Sequence, residues 1–322
     1  MAVTTPEPAE TTSSQAGAKA IEIKNLVKKY KSVVAVNDIS LDVYEGEIFG
    51  FLGPNGAGKT TTIKTLLGLI FPTSGEVKLL GKPAGDIDVK EKVSYLPESP
   101  YFYDHMTAFE LVSFYASLFG MSGDARTRRV EVLLEQVGLQ NAANKPLRAF
   151  SKGMLQRVGI AQSLVNDPKI LFFDEPTSGL DPIAHRDIRN LILHLKEEGR
   201  TIFLSSHQLS DVEMVCDRVS ILNKGKIRRI GPVEELIAGG NVEIVAEGVK
   251  PTEEALAALK SMSSNIERVG NKIIVTANAT TESKNRILDW LRANKGDVLS
   301  ITETRRTLED IFYETVHESD YN

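Results

Sequence analysis

Gly53-Pro54-Asn55-Gly56-Ala57-Gly58-Lys59-Thr60, followed at once by Thr61, is the stretch on which the fold turns. It fits G-x-x-x-x-G-K-[ST], the pattern of a loop that cradles phosphates. Its glycines let the backbone turn tightly around a polyphosphate. The loop leads into a helix whose first N–H groups have no partner within the helix and so point at the anion. Lys59 adds a point charge to the outer phosphates. Thr60 offers its hydroxyl to a Mg²⁺ ion that bridges two of them, since this hard ion prefers oxygen ligands. The surroundings agree: residues 48–52 read as a buried strand, and residues 60–69 carry Ile63, Leu66 and Leu67 at helical spacing.

Working outward, Ile21 and Ile23, then Ile39, Leu41 and Val43, alternate with polar residues and predict two half-buried antiparallel strands. Tyr30 closes the first of them, placed either to stack on a base or to cover a sheet edge. After the loop and its helix come a strand ending near Leu79 and a short strand over 93–96, with Glu98 directly behind it. Residues 106–121 are mostly apolar and residues 126–137 read as a helix ended by Gly138, together a helical insertion. Another helix runs from about 151 to 165. Two continuous apolar runs, 170–173 and 201–206, read as strands buried on both faces of a parallel sheet. The first ends in Asp174 and Glu175, the second in His207. Polar groups at the carboxyl ends of buried strands predict an α/β fold of the P-loop NTPase type with a nucleotide at that edge.

The 322 residues suit one large and one small domain. We expect a disordered tail over 1–19, a nucleotide domain over 20–238 and an accessory α+β domain over 239–322. The accessory unit's element order, βαββαβ, is ferredoxin-like, and a last helix starts at a capping box from Thr307 to Asp310. Trp290, on an amphipathic helix, is expected in the core. A formal net charge of −5 provides no global attraction for nucleic acid or anionic lipid, so neither is expected as a main partner. The single cysteine, Cys216, excludes an intrachain disulfide. No apolar run reaches the length of a membrane span, which predicts a cytoplasmic chain unless a partner recruits it.

Beside a phosphate loop, the acid pair has a direct chemical reading. Asp174 holds Mg²⁺ through its water shell, and Glu175 polarises the attacking water.

With these pieces in place, residues 21–231 resemble the ATPase subunits of ABC transporters. Phe150-Ser151-Lys152-Gly153-Met154 stands where that family has its Leu-Ser-Gly-Gly-Gln signature, and Leu155-Gln156-Arg157 continues the match. Ser178-Gly179-Leu180-Asp181 stands as the loop that communicates across a dimer, and His207 as the switch histidine. The resemblance implies ATP sites formed between two copies, most simply a homodimer. The loop residues Gly53, Asn55, Gly56, Gly58, Lys59, Thr60 and Thr61 of one copy hold the phosphates. Ser151 and the N–H of Gly153 from the other meet the γ-phosphate, with Asp181 close by. His207 then bonds that phosphate, Glu175 orients water, Tyr30 stacks on adenine, and Thr60, Glu98 and Asp174 serve the metal.

Two departures from the family pattern stand out. Glu98 replaces the usual Gln and adds negative charge beside the triphosphate, and Lys152 and Met154 replace a Gly and the Gln of the signature. Both kinds of variant occur in the branch that exports drugs, sodium and polymers, which this sequence resembles most. The implied partner is a separate integral membrane permease, with the chain peripheral on the inner face of the membrane. The permease would dock on residues 100–107 and 111–119, although ordinary packing explains the latter equally well. The alternative is a soluble ABC-type ATPase that regulates a non-transport partner. Such proteins ordinarily show two cassettes or a long coiled coil, and neither pattern is visible. A regulatory module without turnover is disfavoured by Glu175 and His207.

Overall fold

The computed structural model describes residues 17–317; residues 1–16 of the expected tail lie outside them. Strands β1 (Lys19–Tyr30) and β2 (Val33–Tyr44) pair antiparallel, with Ile21 opposite Val43 and Tyr30 opposite Val33. Their alternating Ile21, Ile23, Ile39, Leu41 and Val43 are buried, as period-two patterning requires. Strand β3 (Ile48–Leu52) runs into the phosphate loop and helix α1 (Lys59–Leu66). The helix stops short of residue 69 because Gly68 takes φ +66° and closes the turn.

Strands β4 (Ser74–Leu79) and β5 (Lys82–Pro83) complete an antiparallel sheet of order β2-β1-β4-β5. Helix α2 (Ile87–Lys90) and strand β6 (Val93–Leu96) follow. The helical insertion comprises α3 (Ala108–Leu118) and α4 (Gly123–Gln136). Helix α3 starts at a capping box in which Thr107 and Glu110 each accept the other's backbone N–H. Next come α5 (Lys152–Ser163), β7 (Ile170–Asp174), α6 (Pro182–Glu197), β8 (Thr201–Ser206), α7 (Leu209–Val215), β9 (Arg218–Asn223) and β10 (Lys226–Pro232).

The central sheet has the order β10-β9-β3-β8-β7-β6. Its members are parallel except β10. Every residue of β3, β7 and β8 is buried, which is why these strands read as unbroken apolar runs. On one face Phe49, Phe51 and Phe172 surround Phe203 with ring centroids 5.2–5.8 Å apart, packed against the first sheet. Each such side chain contributes about 2 kcal/mol by burial. On the other face Ile48, Leu52, Leu171 and Phe173 meet the helices. Cys216 is buried here as a small apolar residue, and burial pushes its thiol well up.

Beyond α8 (Val233–Leu236) the chain builds β11 (Gly240–Glu247), α9 (Glu253–Met262), β12 (Asn265–Val269), β13 (Lys272–Asn278), α10 (Thr281–Ala293) and β14 (Asp297–Arg305). The four strands form an all-antiparallel sheet of order β12-β13-β11-β14 with its own core. Trp290 belongs to that core and donates from Nε1 to the Ala255 carbonyl at 2.8 Å. The last helix, α11 (Leu308–His317), departs from the expected unit over 239–322. Leu308 and Ile311 are buried in the core of the nucleotide-binding part, so the chain leaves that part at α8 and returns to it. The capping box at its start forms as expected, Thr307 N–H donating to Asp310 and Asp310 N–H to Thr307 Oγ1.

Candidate functional site

At the carboxyl edge of the central sheet lies a cleft of about 400 Å³ whose floor is the phosphate loop. Two of the loop's glycines are required by space. A Cβ on Gly53 would fall 2.5 Å from the Leu222 carbonyl oxygen, and one on Gly58, which also has φ +111°, would fall 2.4 Å from that of Ala35. Neither atom can yield, because each belongs to the backbone of a paired strand. Asn55, Gly56, Thr60 and Thr61 line the cleft beside them. Lys59 is buried, its ammonium donating to the Gly53 carbonyl at 2.6 Å and standing 3.4 Å from Glu175 Oε1.

The acids arrive from β7. Thr60 Oγ1 donates to Asp174 Oδ2 at 3.1 Å, which joins loop and strand end in one oxygen cluster. Ser205 Oγ donates to the other oxygen of Asp174, and the Tyr95 hydroxyl donates to Oδ2 at 3.4 Å. Burial first, then the charges of Asp174 and Glu98, push the Tyr95 phenol up to about 12, so it remains a donor. Glu98 also lines the cleft. Glu175 sits at φ +51°, a left-handed backbone that costs a non-glycine residue on the order of 1 kcal/mol. In that pose its second oxygen accepts from the His207 backbone N–H at 3.2 Å and lies 2.6 Å from His207 Nδ1. The cleft thus holds Glu98, Asp174 and Glu175 against Lys59, with His207 at its mouth.

The remaining expected residues do not join this cleft. Ser151 caps α5, its Oγ accepting from the Met154 N–H at 3.3 Å. Gly153 packs so closely on α6 that a Cβ would meet that of Ala184 at 2.7 Å. Asp181 caps α6, accepting from Ile183 and Ala184 N–H at 3.0 and 2.9 Å. Ser151, Gly153 and Asp181 therefore lie on a second surface, while Ser178 at the start of the loop lines the cleft. Tyr30 is exposed at the tip of the β1–β2 hairpin, with the Lys28 ammonium 4.9 Å from its ring. Of the expected docking stretch, Phe102 is buried while Tyr101 is 95% exposed and Tyr103 59%. Helix α3 divides likewise, Leu111, Val112 and Ala116 facing the core and Phe114 and Leu118 facing out.

Sequence reading missed Ser205, Tyr95 and Ala35. The first two reach Asp174 only through the parallel register that sets Ser205 beside Asp174 and Tyr95 beside Phe172.

Two family models match the chain. One described as "ABC transporter" covers residues 36–178, and one described as "ATP-binding protein DrrA1-3-like, C-terminal domain" covers residues 230–316. Among curated proteins the chain is similar to an ABC transporter ATP-binding protein of Synechocystis, sll0415, at 40% identity over 99% of this chain and 90% of the relative. It is also similar to the bacitracin transport ATP-binding protein BcrA of Bacillus licheniformis, at 34% identity over 92% of this chain and 97% of the relative. Among solved structures it is similar to the dimeric, post-hydrolysis ATP-binding cassette MJ0796 bound to ADP and Pi. That likeness has a TM-score of 0.61 and 29% identity, over 66% of this chain and 98% of that one.

Proposed function

We propose, on the premise that this chain belongs to the ABC transporter ATP-binding family, that two copies of it hydrolyse ATP at sites shared between them and drive export through a separate membrane permease. As a family member it is an ATP hydrolase coupled to transport. One observation carries the assignment of roles: Glu175 stands between the phosphate-loop ammonium of Lys59 and the imidazole of His207.

In this reading the N–H groups of the loop and of α1 hold the phosphates, and Lys59 faces the outermost one. Among the described residues no group of three or more His, Cys, Asp or Glu side chains could hold a metal unaided. The oxygens of Thr60 and Asp174, already in contact, with Glu98 in the same cleft, fit a hard cation that takes its other ligands from phosphate and water. Mg²⁺, when bound there, supplies charge that offsets the outer phosphates. His207 exchanges Glu175 for the γ-phosphate, and the freed carboxylate orients water for in-line attack.

The signature surface supports a shared site. Ser151 and the Gly153 N–H stand at the start of α5, away from their own chain's cleft, and would reach the γ-phosphate of a second copy. The likeness to the dimeric cassette agrees with this. No described helix is long and apolar enough to cross a membrane, and in this reading the chain works at the inner face through a separate membrane permease. Tyr101 and Tyr103 are the exposed aromatics suited to receive it. The likeness to BcrA, named for bacitracin transport, supports a transport role. Export is the direction implied by the resemblance of Glu98, Lys152 and Met154 to the variants of the exporting branch. ATP turnover by the full chain and by Lys59→Ala tests the reading: the parent hydrolyses ATP and the variant does not, whereas equal turnover by both would refute it.

A further inference from the structure

The segment carrying His207 is weakly held by itself. Helix α7, which starts two residues later, has only seven residues, too few to be stable without tertiary support. Its buried apolar side chains are Val212 and Val215. Two acids fasten its polar side. Glu213 Oε2 accepts the N–H of Leu308 at 2.9 Å. Asp211 Oδ2 lies 3.0 Å from His185 Nδ1, both side chains being less than one-fifth exposed. Arg189, one turn further along α6, approaches the other oxygen of Asp211 at 3.7 Å while donating to Met214 Sδ at 2.8 Å.

The positions of this pair are symmetrical. His185 is four residues beyond Asp181, which caps α6, and Asp211 is four beyond His207, in the first turn of α7. The His185 N–H donates to the Asp181 carbonyl at 2.9 Å, which makes the imidazole part of the first turn that Asp181 caps. A hydrogen-bonded turn on the Asp181 side, the first turn of α7 on the other, and one polar link between them connect the loop ending at Asp181 to the segment beginning at His207.

We propose that His185 and Asp211 are positioning residues: their link makes the cross-dimer loop and the switch histidine move together, so that His207 reaches the γ-phosphate when the partner copy engages that loop. This rests on the roles given above to Asp181 and His207. Nothing in the link touches the cleft, so ATP binding by a single chain does not depend on it, whereas turnover does.

The test uses the full chain and measures fluorescent-ATP affinity, steady-state turnover and thermal unfolding for His185→Ala, Asp211→Ala, the double variant, His185→Arg and Asp211→Asn. Each alanine variant should lose about tenfold in kcat, and the double variant no more than either single one, as for residues acting as one unit. ATP affinity should stay within about twofold of the parent, and His185→Arg, which keeps an N–H donor opposite Asp211, should retain most of the turnover. If an alanine variant fails to fold, Asp211→Asn, which keeps shape and removes charge, gives the same kcat comparison. Full kcat in His185→Ala or Asp211→Asn, or single losses that add in the double variant, would overturn the link. A parent chain without ATP turnover would instead overturn the functional reading on which it rests.

Discussion

Glu175 and His207 are bonded to each other, Oε2 lying 2.6 Å from Nδ1 and also accepting the His207 backbone N–H. In the proposed mechanism His207 releases this oxygen before Glu175 orients water for attack. Glu175→Gln keeps the shape of the side chain and removes the general-base charge. We predict a loss in kcat of at least about 10²-fold with ATP affinity retained, checked by single-turnover hydrolysis beside equilibrium binding.

Glu98 places a third carboxylate in a cleft whose one buried ammonium already faces Glu175. Removing that charge should help the bare triphosphate more than its metal complex. Between charges in a partly solvated cleft such repulsion is on the order of 1 kcal/mol. Glu98→Gln is therefore expected to bind ATP in EDTA several-fold more tightly than the parent, and to bind ATP with Mg²⁺ no more tightly. Titration of a fluorescent ATP analogue under both conditions checks this.

The contrast within the 100–107 stretch separates docking from packing. Phe102 is buried against the site a Cβ on Gly159 would occupy, so Phe102→Ala should destabilise the chain by about 3 kcal/mol. Tyr101→Ala with Tyr103→Ala removes only exposed rings. That double variant should keep its unfolding temperature and its ATP affinity while losing co-purification with the membrane partner.

Helix α11 makes the nucleotide core depend on the end of the described chain. Leu308→Ala is predicted to cost about 2–4 kcal/mol, read as a lowered midpoint in urea unfolding. A truncation at residue 241 would remove Leu308 and Ile311 from that core along with the accessory sheet. Loss of turnover in such a truncation would thus report exposed core, and a point variant in the accessory core, such as Ile287→Ala, is the cleaner probe of that unit.

What was legible beforehand follows from how locally each feature is encoded. The phosphate loop, β3, β7 and β8 are written in contiguous residues: a glycine pattern and three apolar runs, of which those of β3 and β8 match the strands found and that of β7 falls one residue short, at Asp174. The ferredoxin-like order also follows from period and turns, Gly270 supplying φ +63° between β12 and β13. Features set by distant pairing were hidden. Ser205 meets Asp174 because β8 lies beside β7, and no spacing in the chain records sheet order. Likewise Leu308 and Ile311 mark an amphipathic helix without marking the surface that it covers. Tyr30 is the converse: its place at the end of β1 was readable, yet the structure leaves it outside the cleft, exposed beside Lys28.

In the proposed mechanism the cleft is half a site, completed by Ser151 and Gly153 of a second copy. Light scattering on the full chain bearing Glu175→Gln, with and without ATP, tests this most directly. The account predicts a mass of one chain without ATP and two with it, and a return to one chain when Ser151→Ala is added while fluorescent ATP stays bound. A single-chain mass in the presence of bound ATP, for Glu175→Gln alone, would contradict it.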